Sequence, residues 1–77
     1  LMNWEKKDDH LVKEFELKDF TEAVGFVQKI APLANKADHH PDVLIHSYKK
    51  VKITLTTHSE GKITEKDYDL AKDIDKI

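Results

Sequence analysis

A run of apolar residues at helical spacing limits the fold of this chain more than any other feature of its sequence. The apolar side chains recur three, four, seven, ten, eleven and fourteen positions after the first, and they are Phe20, Ala23, Val24, Val27, Ile30, Ala31 and Ala34. This spacing places them on one face of a helix of about four turns. We therefore predict a helix that begins at Lys18 or Asp19, bends or loosens near Pro32, and ends between Asn35 and Ala37.

Before this helix, apolar and polar residues alternate, which is the pattern of half-buried β-strands. A first short strand is predicted from residue 4, followed by a turn at Asp8 and Asp9, because Asp favours turn positions. A second strand is predicted from His10 to Leu17, with Lys13 on the same face as Leu11, Phe15 and Leu17. Together the two strands predict an N-terminal hairpin.

After Pro41 the alternation returns and predicts two more strands, one over residues 42–48 and one that begins at Lys49-Lys50 and runs to Thr56. A second helix is predicted from Thr64, whose residue type suits the N-cap, with acidic residues in the first turn. The apolar stripe of this helix consists of Leu70, Ala71, Ile74 and Ile77.

The predicted order is strand, strand, helix, strand, strand, helix (ββαββα). The most economical packing is a two-layer α+β fold, in which a four-stranded antiparallel sheet carries both helices on one face. The other face then stays polar and carries Lys52, Thr54 and Thr56. The chain contains no linker or low-complexity segment, so we expect residues 1–77 to form a single domain.

Composition argues against several classes of function. The chain has no cysteine, which excludes a disulfide, a thiolate metal site or a thiol nucleophile and is compatible with the cytoplasmic location that we expect. The 13 basic and 15 acidic residues are interspersed, so no basic stripe is available to bind nucleic acid. No apolar run approaches the ~18 residues of a membrane span. A chain of 77 residues buries only about 60% of its unfolded surface and often oligomerises.

Histidines stand out in this sequence, because three of the five lie between residues 39 and 46 and two are adjacent in Asp38-His39-His40-Pro41. Histidine can both donate and accept a proton near neutral pH. The proline favours extended geometry at His40, in which neighbouring side chains point to opposite sides. The pair suits two different roles better than one shared role, although two exposed loop histidines without a function fit the pattern as well.

Two further residues could act with this pair. His58 has the same strand parity as Lys52 and Thr54, so it should face away from the helices unless the strand ends before it. Asp67 is the third residue after Thr64 and fits the capping partner in a variant of the Thr-x-x-Glu box. This capping role does not exclude a second one.

Other kinds of site fit these residues less well. For a metal site, adjacent histidines diverge and the sequence has no His-x-x-x-His helical pair. For a Ser-His-Asp hydrolase, Ser47 and Ser59 lack the nucleophile-elbow context, and a Gly-rich oxyanion or phosphate loop is missing. Proton transfer by histidines without a cofactor fits best.

Several motifs in combination resemble the pterin-4a-carbinolamine dehydratase family. The segments that carry the resemblance are His39-His40-Pro41, Tyr48-Lys49-Lys50-Val51, Thr56-Thr57-His58 and the stretch from Gly61 to Asp67. The resemblance extends over nearly the whole chain, and its further positions are Trp4, Phe15, residues 18–20, residues 23–26, Leu70-Ala71 and Ile74-Asp75.

The resemblance implies four antiparallel strands with helices on one face, in agreement with the periodicity. It also implies the reaction of 4a-hydroxytetrahydrobiopterin dehydratase, in which 4a-hydroxytetrahydropterin loses water to give quinonoid dihydropterin. This reaction recycles the pterin of aromatic amino-acid hydroxylases and needs no metal or other cofactor. Members form homodimers through sheet edges and homotetramers through helices, and in animals they also serve as a dimerisation cofactor for a homeodomain transcription factor.

By position, the resemblance makes His39 and His58 the acid/base pair, with Asp67 as the group that orients or charges a histidine. His40 would bind and orient the pterin. Asp38 and Trp4 would contribute to the wall of the substrate site.

Three positions depart from the family pattern. Asn35 stands where many members carry an acidic residue, Lys62 replaces the second glycine of a Gly-Gly turn, and Lys66 replaces an arginine. Two alternatives therefore stay open. One is a weakly catalytic or non-catalytic homologue that acts as a binding or dimerisation module, and the other is a dehydratase for another pterin, in molybdenum-cofactor metabolism.

Overall fold

The alternating segments form one sheet, and the two helical segments pack together on one of its faces. The computed structural model describes residues 3–77, so residues 1 and 2 of the predicted domain lie outside the described residues. The elements are β1 (Glu5–Lys7), β2 (His10–Glu16), α1 (Phe20–Ala37), β3 (Asp42–His46), β4 (Lys50–Leu55) and α2 (Glu65–Asp75). The strand order is β1-β2-β4-β3, and every neighbouring pair is antiparallel. The predicted α+β class and ββαββα order are confirmed.

The core lies between the sheet and the helices, because the strands and the helices turn their apolar sides toward the same layer. From the sheet, Leu11 of β2 and Val51, Ile53 and Leu55 of β4 are buried. They form one cluster with the buried helix residues Ala23, Phe26, Ile30, Leu70, Ala71 and Ile74. Burial of each large apolar side chain contributes about 1.5–3 kcal/mol to the free energy of unfolding.

Helix α1 begins and ends close to the predicted positions. Asp19 is its N-cap, and the carboxylate of Asp19 accepts a hydrogen bond of 2.8 Å from the backbone N–H of Glu22. The helix continues past Pro32 to Ala37. Pro32 is exposed, so the hydrogen bond that proline cannot donate is lost on the solvent side of the helix.

The buried face of α1 differs from the predicted stripe. The buried residues are Ala23, Phe26, Ile30 and Ala34, so the face is centred nearer to Phe26 than the sequence predicts. Phe20 and Val24 are 56% and 36% exposed, and Ala31 is exposed as well. These three residues share a flank of the helix that the sheet does not cover, and we call them the outer strip.

Strands β3 and β4 end earlier than predicted. β3 stops at His46 because Ser47 and Tyr48, with φ of 50° and 52°, form the turn to β4. Positive φ costs a residue other than glycine about 1–2 kcal/mol, which alternation in a sequence does not reveal. β4 stops at Leu55, and Thr56 is buried instead of lying on the polar face. The hydroxyl of Thr56 donates to the carbonyl of Asp9 at 2.9 Å.

A contact of charged and aromatic side chains ties the C-terminal end of α2 to the N-terminal hairpin. Lys13 shares the core side of β2 with Phe15, and its Nζ lies 2.7 Å from Oδ1 of Asp75. The indole N–H of Trp4 donates to both carboxylate oxygens of Asp75, at 3.0 and 2.9 Å. The rings of Trp4 and Phe15 meet edge to face with their centroids 6.2 Å apart.

On the face of the sheet opposite the helices, His46 and Glu14 form a hydrogen bond across the central strand β4. The distance between Nε2 of His46 and Oε1 of Glu14 is 2.5 Å. This hydrogen bond is the largest cause that lowers the pKa of Glu14 below its ordinary value of 4.5, and Lys50 and Lys52 add smaller electrostatic contributions.

We predict that the pH dependence of folding reflects this bond. Because the pKa of Glu14 is lower in the folded chain, the bond stabilises the fold above pH 4.5 and is lost as the pH falls through the lowered value. An NMR titration of the Glu14 carboxyl should give a midpoint below 4.5, and His46→Ala should raise that midpoint. An unchanged midpoint in His46→Ala would contradict the assignment.

Candidate functional site

The carboxylate of Asp67 is the centre of the candidate site. Asp67 lies in the first turn of α2 and is 0% exposed. Its Oδ2 accepts a 2.9 Å hydrogen bond from the backbone N–H of Thr64, which is the side-chain half of the predicted capping box. The same oxygen accepts a 2.8 Å hydrogen bond from the hydroxyl of Thr57. Capping therefore leaves Oδ1 for a further partner.

His39 is that partner, and the end of α1 directs it there. Asp38 adopts the left-handed conformation, with φ of 50° and ψ of 42°, and the backbone N–H of His39 donates to the carbonyl of Ala34 at 3.1 Å. This turn brings Nε2 of His39 to 2.5 Å from Oδ1 of Asp67. Because the carboxylate accepts, the hydrogen lies on Nε2, and Nδ1 is the ring atom that can exchange a proton with a substrate. The side chain of His39 is 11% exposed, so its ring is shielded but reachable.

The loop that carries His58 is attached to the same carboxylate. The hydroxyl of Thr57 binds Asp67 and lies 2.6 Å from the hydroxyl of Thr64. His58 is the next residue and is exposed, and consecutive Cα atoms are about 3.8 Å apart. Because β4 ends at Leu55, the strand parity expected for His58 does not apply. His39 therefore binds the carboxylate of Asp67 directly, and His58 is attached to it through the neighbouring residue Thr57.

His40 is held by a different partner. Its Nε2 lies 3.0 Å from Oδ1 of Asn35, in the last turn of α1, and both residues are exposed. Asn35 is one of the departures from the family pattern, and the structure places its amide in contact with a candidate substrate-binding histidine. Asp38 provides the backbone turn between the two, and its proposed place in the wall of the site stays a prediction.

Trp4 lies away from this group of residues. Its indole binds Asp75, eight residues after Asp67 and therefore about 12 Å farther along the axis of α2. The structure of the described residues does not bring Trp4 to His39, His40 or Asp67. Its assignment to the substrate site stays a prediction.

The loop before α2 accommodates the departure at Lys62. Gly61 has φ of 66° and takes the left-handed position, whereas Lys62 is absent from the described residues with positive φ. The carbonyl of Lys62 accepts a 3.1 Å hydrogen bond from the backbone N–H of Thr57. The lysine therefore introduces no backbone strain of the kind that a second glycine would relieve. Lys66 is exposed on α2, and the effect of its replacement of arginine stays a prediction.

The sequence analysis assigns no role to Thr57, although the strand pattern indicates that its hydroxyl is buried. Thr57 has the parity of Val51, Ile53 and Leu55, so it is expected on the buried side, and a buried hydroxyl needs a partner. The structure shows Thr57 to be 4% exposed with Asp67 as that partner.

The described residues form neither a cluster of metal ligands nor a membrane-spanning helix. Within residues 3–77, the structure groups no three His, Cys, Asp or Glu side chains so that they could hold a metal ion. Neither α1 nor α2, the helices of the described chain, has the length and apolar character needed to cross a membrane.

Comparisons with known proteins agree on one family. The family model described as "Pterin 4 alpha carbinolamine dehydratase" matches residues 1–77. A protein of Sulfolobus acidocaldarius with the name "Putative pterin-4-alpha-carbinolamine dehydratase" is 50% identical over 96% of this chain and 80% of its own length. A protein of the same name from Sulfurisphaera tokodaii is 46% identical over 100% of this chain and 82% of its own length.

Solved structures are similar to this chain as well. A transcriptional coactivator/pterin dehydratase from Brucella melitensis superposes with a TM-score of 0.91 and 38% identity, over 99% of this chain and 82% of the other. A pterin dehydratase-like protein identified as a RuBisCO assembly factor in the alpha-carboxysome gives a TM-score of 0.76 at 22% identity, over 96% and 87%. The second likeness shows the fold alone.

We predict that Thr57→Val lowers the free energy of unfolding by about 1.5–3 kcal/mol, because it removes a hydrogen bond to a buried charged group. The matched control is Thr56→Val, which removes a hydroxyl bond to the uncharged carbonyl of Asp9 and should cost only about 0.5–1.5 kcal/mol. Urea unfolding measures both. A smaller loss in Thr57→Val than in Thr56→Val would contradict the importance of the Asp67 contact.

Proposed function

The chain belongs to the pterin 4 alpha carbinolamine dehydratase family, and we propose that it converts 4a-hydroxytetrahydropterin to quinonoid dihydropterin and water. The observation that carries this proposal is the bond between His39 Nε2 and the buried carboxylate of Asp67, at 2.5 Å. A histidine oriented in this way by a carboxylate is a common arrangement for proton transfer.

The reaction requires two proton transfers. The C4a–O bond breaks and the hydroxyl leaves as water, which requires a proton donor because hydroxide is a poor leaving group. The N5–H bond breaks and its electron pair forms the C4a=N5 double bond, which requires a base. We assign these transfers to His39 and His58, one as acid and one as base.

The other site residues hold the substrate or the catalytic groups. Asp67 fixes the ring of His39 with Nδ1 free and stabilises the imidazolium that forms when this ring takes a proton. His40, Asp38 and Trp4 are proposed to bind the pterin. We further propose that residues 1–77 act as a single domain in the cytoplasm and need no metal or other cofactor.

We predict that His39→Gln and His58→Gln each reduce the rate of dehydration by about 10²–10⁴-fold. Glutamine removes the titratable ring, while its amide N–H at position 39 can still donate to Asp67, so the fold should survive. The measurement is spectroscopic dehydration of 4a-hydroxytetrahydropterin, with and without a chelator.

The control is His10→Gln, which changes a histidine at the start of β2 whose Nδ1 bonds to the carbonyl of Asp8, and it should leave the rate unchanged. Wild-type rates in both His39→Gln and His58→Gln would overturn the assignment. A folded wild-type protein with no turnover would favour a binding or dimerisation module, and turnover of another pterin alone would favour a role in molybdenum-cofactor metabolism.

We also propose that the protein assembles as a homodimer or homotetramer. β3 is an edge strand of the sheet, and its Val43 and Leu44 are 38% and 54% exposed. The outer strip of α1 exposes Phe20 and Val24 in addition. A small chain with two uncovered apolar surfaces gains stability when a second copy covers them.

Sedimentation at micromolar concentration tests the assembly. We expect the wild-type chain to sediment as a dimer or tetramer, and we expect Phe20→Lys to reduce a tetramer to a dimer because it places a charge in the outer strip. Lys29→Glu also changes the charge at an exposed position of α1, on the side of the helix away from the strip, and should change nothing. A wild-type monomer at this concentration would contradict the proposal.

A further inference from the structure

The two adjacent histidines are held through the same ring atom but by partners of different charge. His39 donates from Nε2 to the carboxylate of Asp67 at 2.5 Å. His40 contacts the side-chain oxygen of Asn35 through Nε2 at 3.0 Å. The left-handed residue Asp38 turns the chain between them, so that His39 reaches α2 while His40 stays beside the last turn of α1. Each ring therefore has Nδ1 left for other contacts.

The chemistry of an amide oxygen restricts the state of His40. Oδ1 of Asn35 can only accept a hydrogen bond, so the contact requires a hydrogen on Nε2 of His40. A neutral imidazole carries one ring hydrogen, and Nδ1 is then an acceptor. A carboxylate at position 35 would accept the same hydrogen, but its negative charge would favour the doubly protonated ring, in which Nδ1 is a donor.

We propose that Asn35 is a positioning residue that selects the Nε2–H tautomer of the neutral His40 ring, so that Nδ1 accepts a hydrogen bond from an N–H group of the pterin. The identity of this ligand rests on the proposed function, whereas the state of the ring does not. The charge of the partner then determines the role of each histidine. The carboxylate of Asp67 supports proton transfer by His39, and the neutral amide of Asn35 leaves His40 as an acceptor that orients the substrate.

Among the groups around His40, residue 35 has the most direct effect on the charge and tautomer of the His40 ring. The charged residues nearest along the chain are Lys36, Asp38 and Asp42, and all three are exposed to water, where their charges are screened. The ring of its neighbour His39 is occupied by Asp67. The hydrogen-bond partner at Nε2 is therefore the group through which the protein acts most directly on the charge of the ring.

NMR of the imidazole nitrogens in the full chain without ligand tests the ring state. We expect wild-type His40 at neutral pH to be the Nε2–H tautomer without a detectable Nδ1–H form. Asn35→Ala should let the Nδ1–H form appear and speed the exchange of the Nε2 hydrogen with water. Asn35→Asp should increase the population of the ring that carries a hydrogen on both nitrogens, because a carboxylate favours that form.

The matched control is Gln28→Glu, which makes the same change from amide to carboxylate at an exposed position of α1. It should leave the His40 signals unchanged. A predominant Nδ1–H form in the wild type, or identical His40 spectra in wild type, Asn35→Ala and Asn35→Asp, would overturn the proposal whether or not the protein dehydrates pterins.

Binding of 7,8-dihydrobiopterin, a pterin without the 4a-hydroxyl group, tests the ligand. At neutral pH we expect Asn35→Asp to weaken binding about two- to three-fold relative to wild type, because more of the His40 rings carry a hydrogen on Nδ1 and cannot accept the hydrogen bond from the pterin. In turnover the same variant should raise KM and change kcat by less than about two-fold, since Asn35 acts through a binding residue. Equal affinity of wild type and Asn35→Asp would overturn the acceptor role of His40. Failure of the wild type to bind this pterin would instead overturn the proposed function and the ligand part of the proposal.

Discussion

The burial of one carboxylate, that of Asp67, is the constraint on which the rest of the structure depends. An ionised group without partners in a protein interior costs several kcal/mol, so a fully buried aspartate is stable only where donors surround it. Here the donors come from three places in the chain: the N-cap residue Thr64 before α2, Thr57 beyond the end of β4, and His39 after α1. The group that caps a helix is therefore also the group that fixes a candidate catalytic histidine, and folding of the three segments assembles the site.

The two adjacent histidines bind different partners, so their rings do not share one hydrogen-bond acceptor. Extended geometry before Pro41 is enough to predict that their side chains diverge, but divergence alone assigns no chemistry. The assignment comes from the partners, a buried carboxylate for His39 and an exposed amide for His40. In the roles proposed above, this difference of one charge between the partners distinguishes the proton carrier His39 from the acceptor His40.

Periodicity predicts the elements of this fold well, because each strand and helix has one apolar side. It fails at the strand ends, where Ser47 and Tyr48 adopt positive φ although neither residue type favours it. It also misplaces the buried face of α1, because the apolar residues cover a wide arc and only the position of the sheet selects Phe26 over Phe20.

The site was less accessible to prediction than the fold. The spacing of His39 and Asp67 does not reveal their contact, since they are 28 positions apart and two strands, β3 and β4, lie between them. The family resemblance supplied the grouping of His39, His58 and Asp67, and their catalytic roles remain a proposal. The contact of His40 with Asn35 depends on the left-handed turn at Asp38, which the residue type permits but does not require.

The bond between Trp4 and Asp75 makes tryptophan fluorescence an intrinsic probe of the position of α2. The sequence contains one tryptophan, so all indole fluorescence comes from the place where the C-terminal end of α2 meets the hairpin. Release of that end would expose the ring and free its N–H from Asp75, which changes the surroundings of the fluorophore. Because Asp67 occupies the first turn of the same helix, the emission follows the docking of the helix that carries the centre of the candidate site.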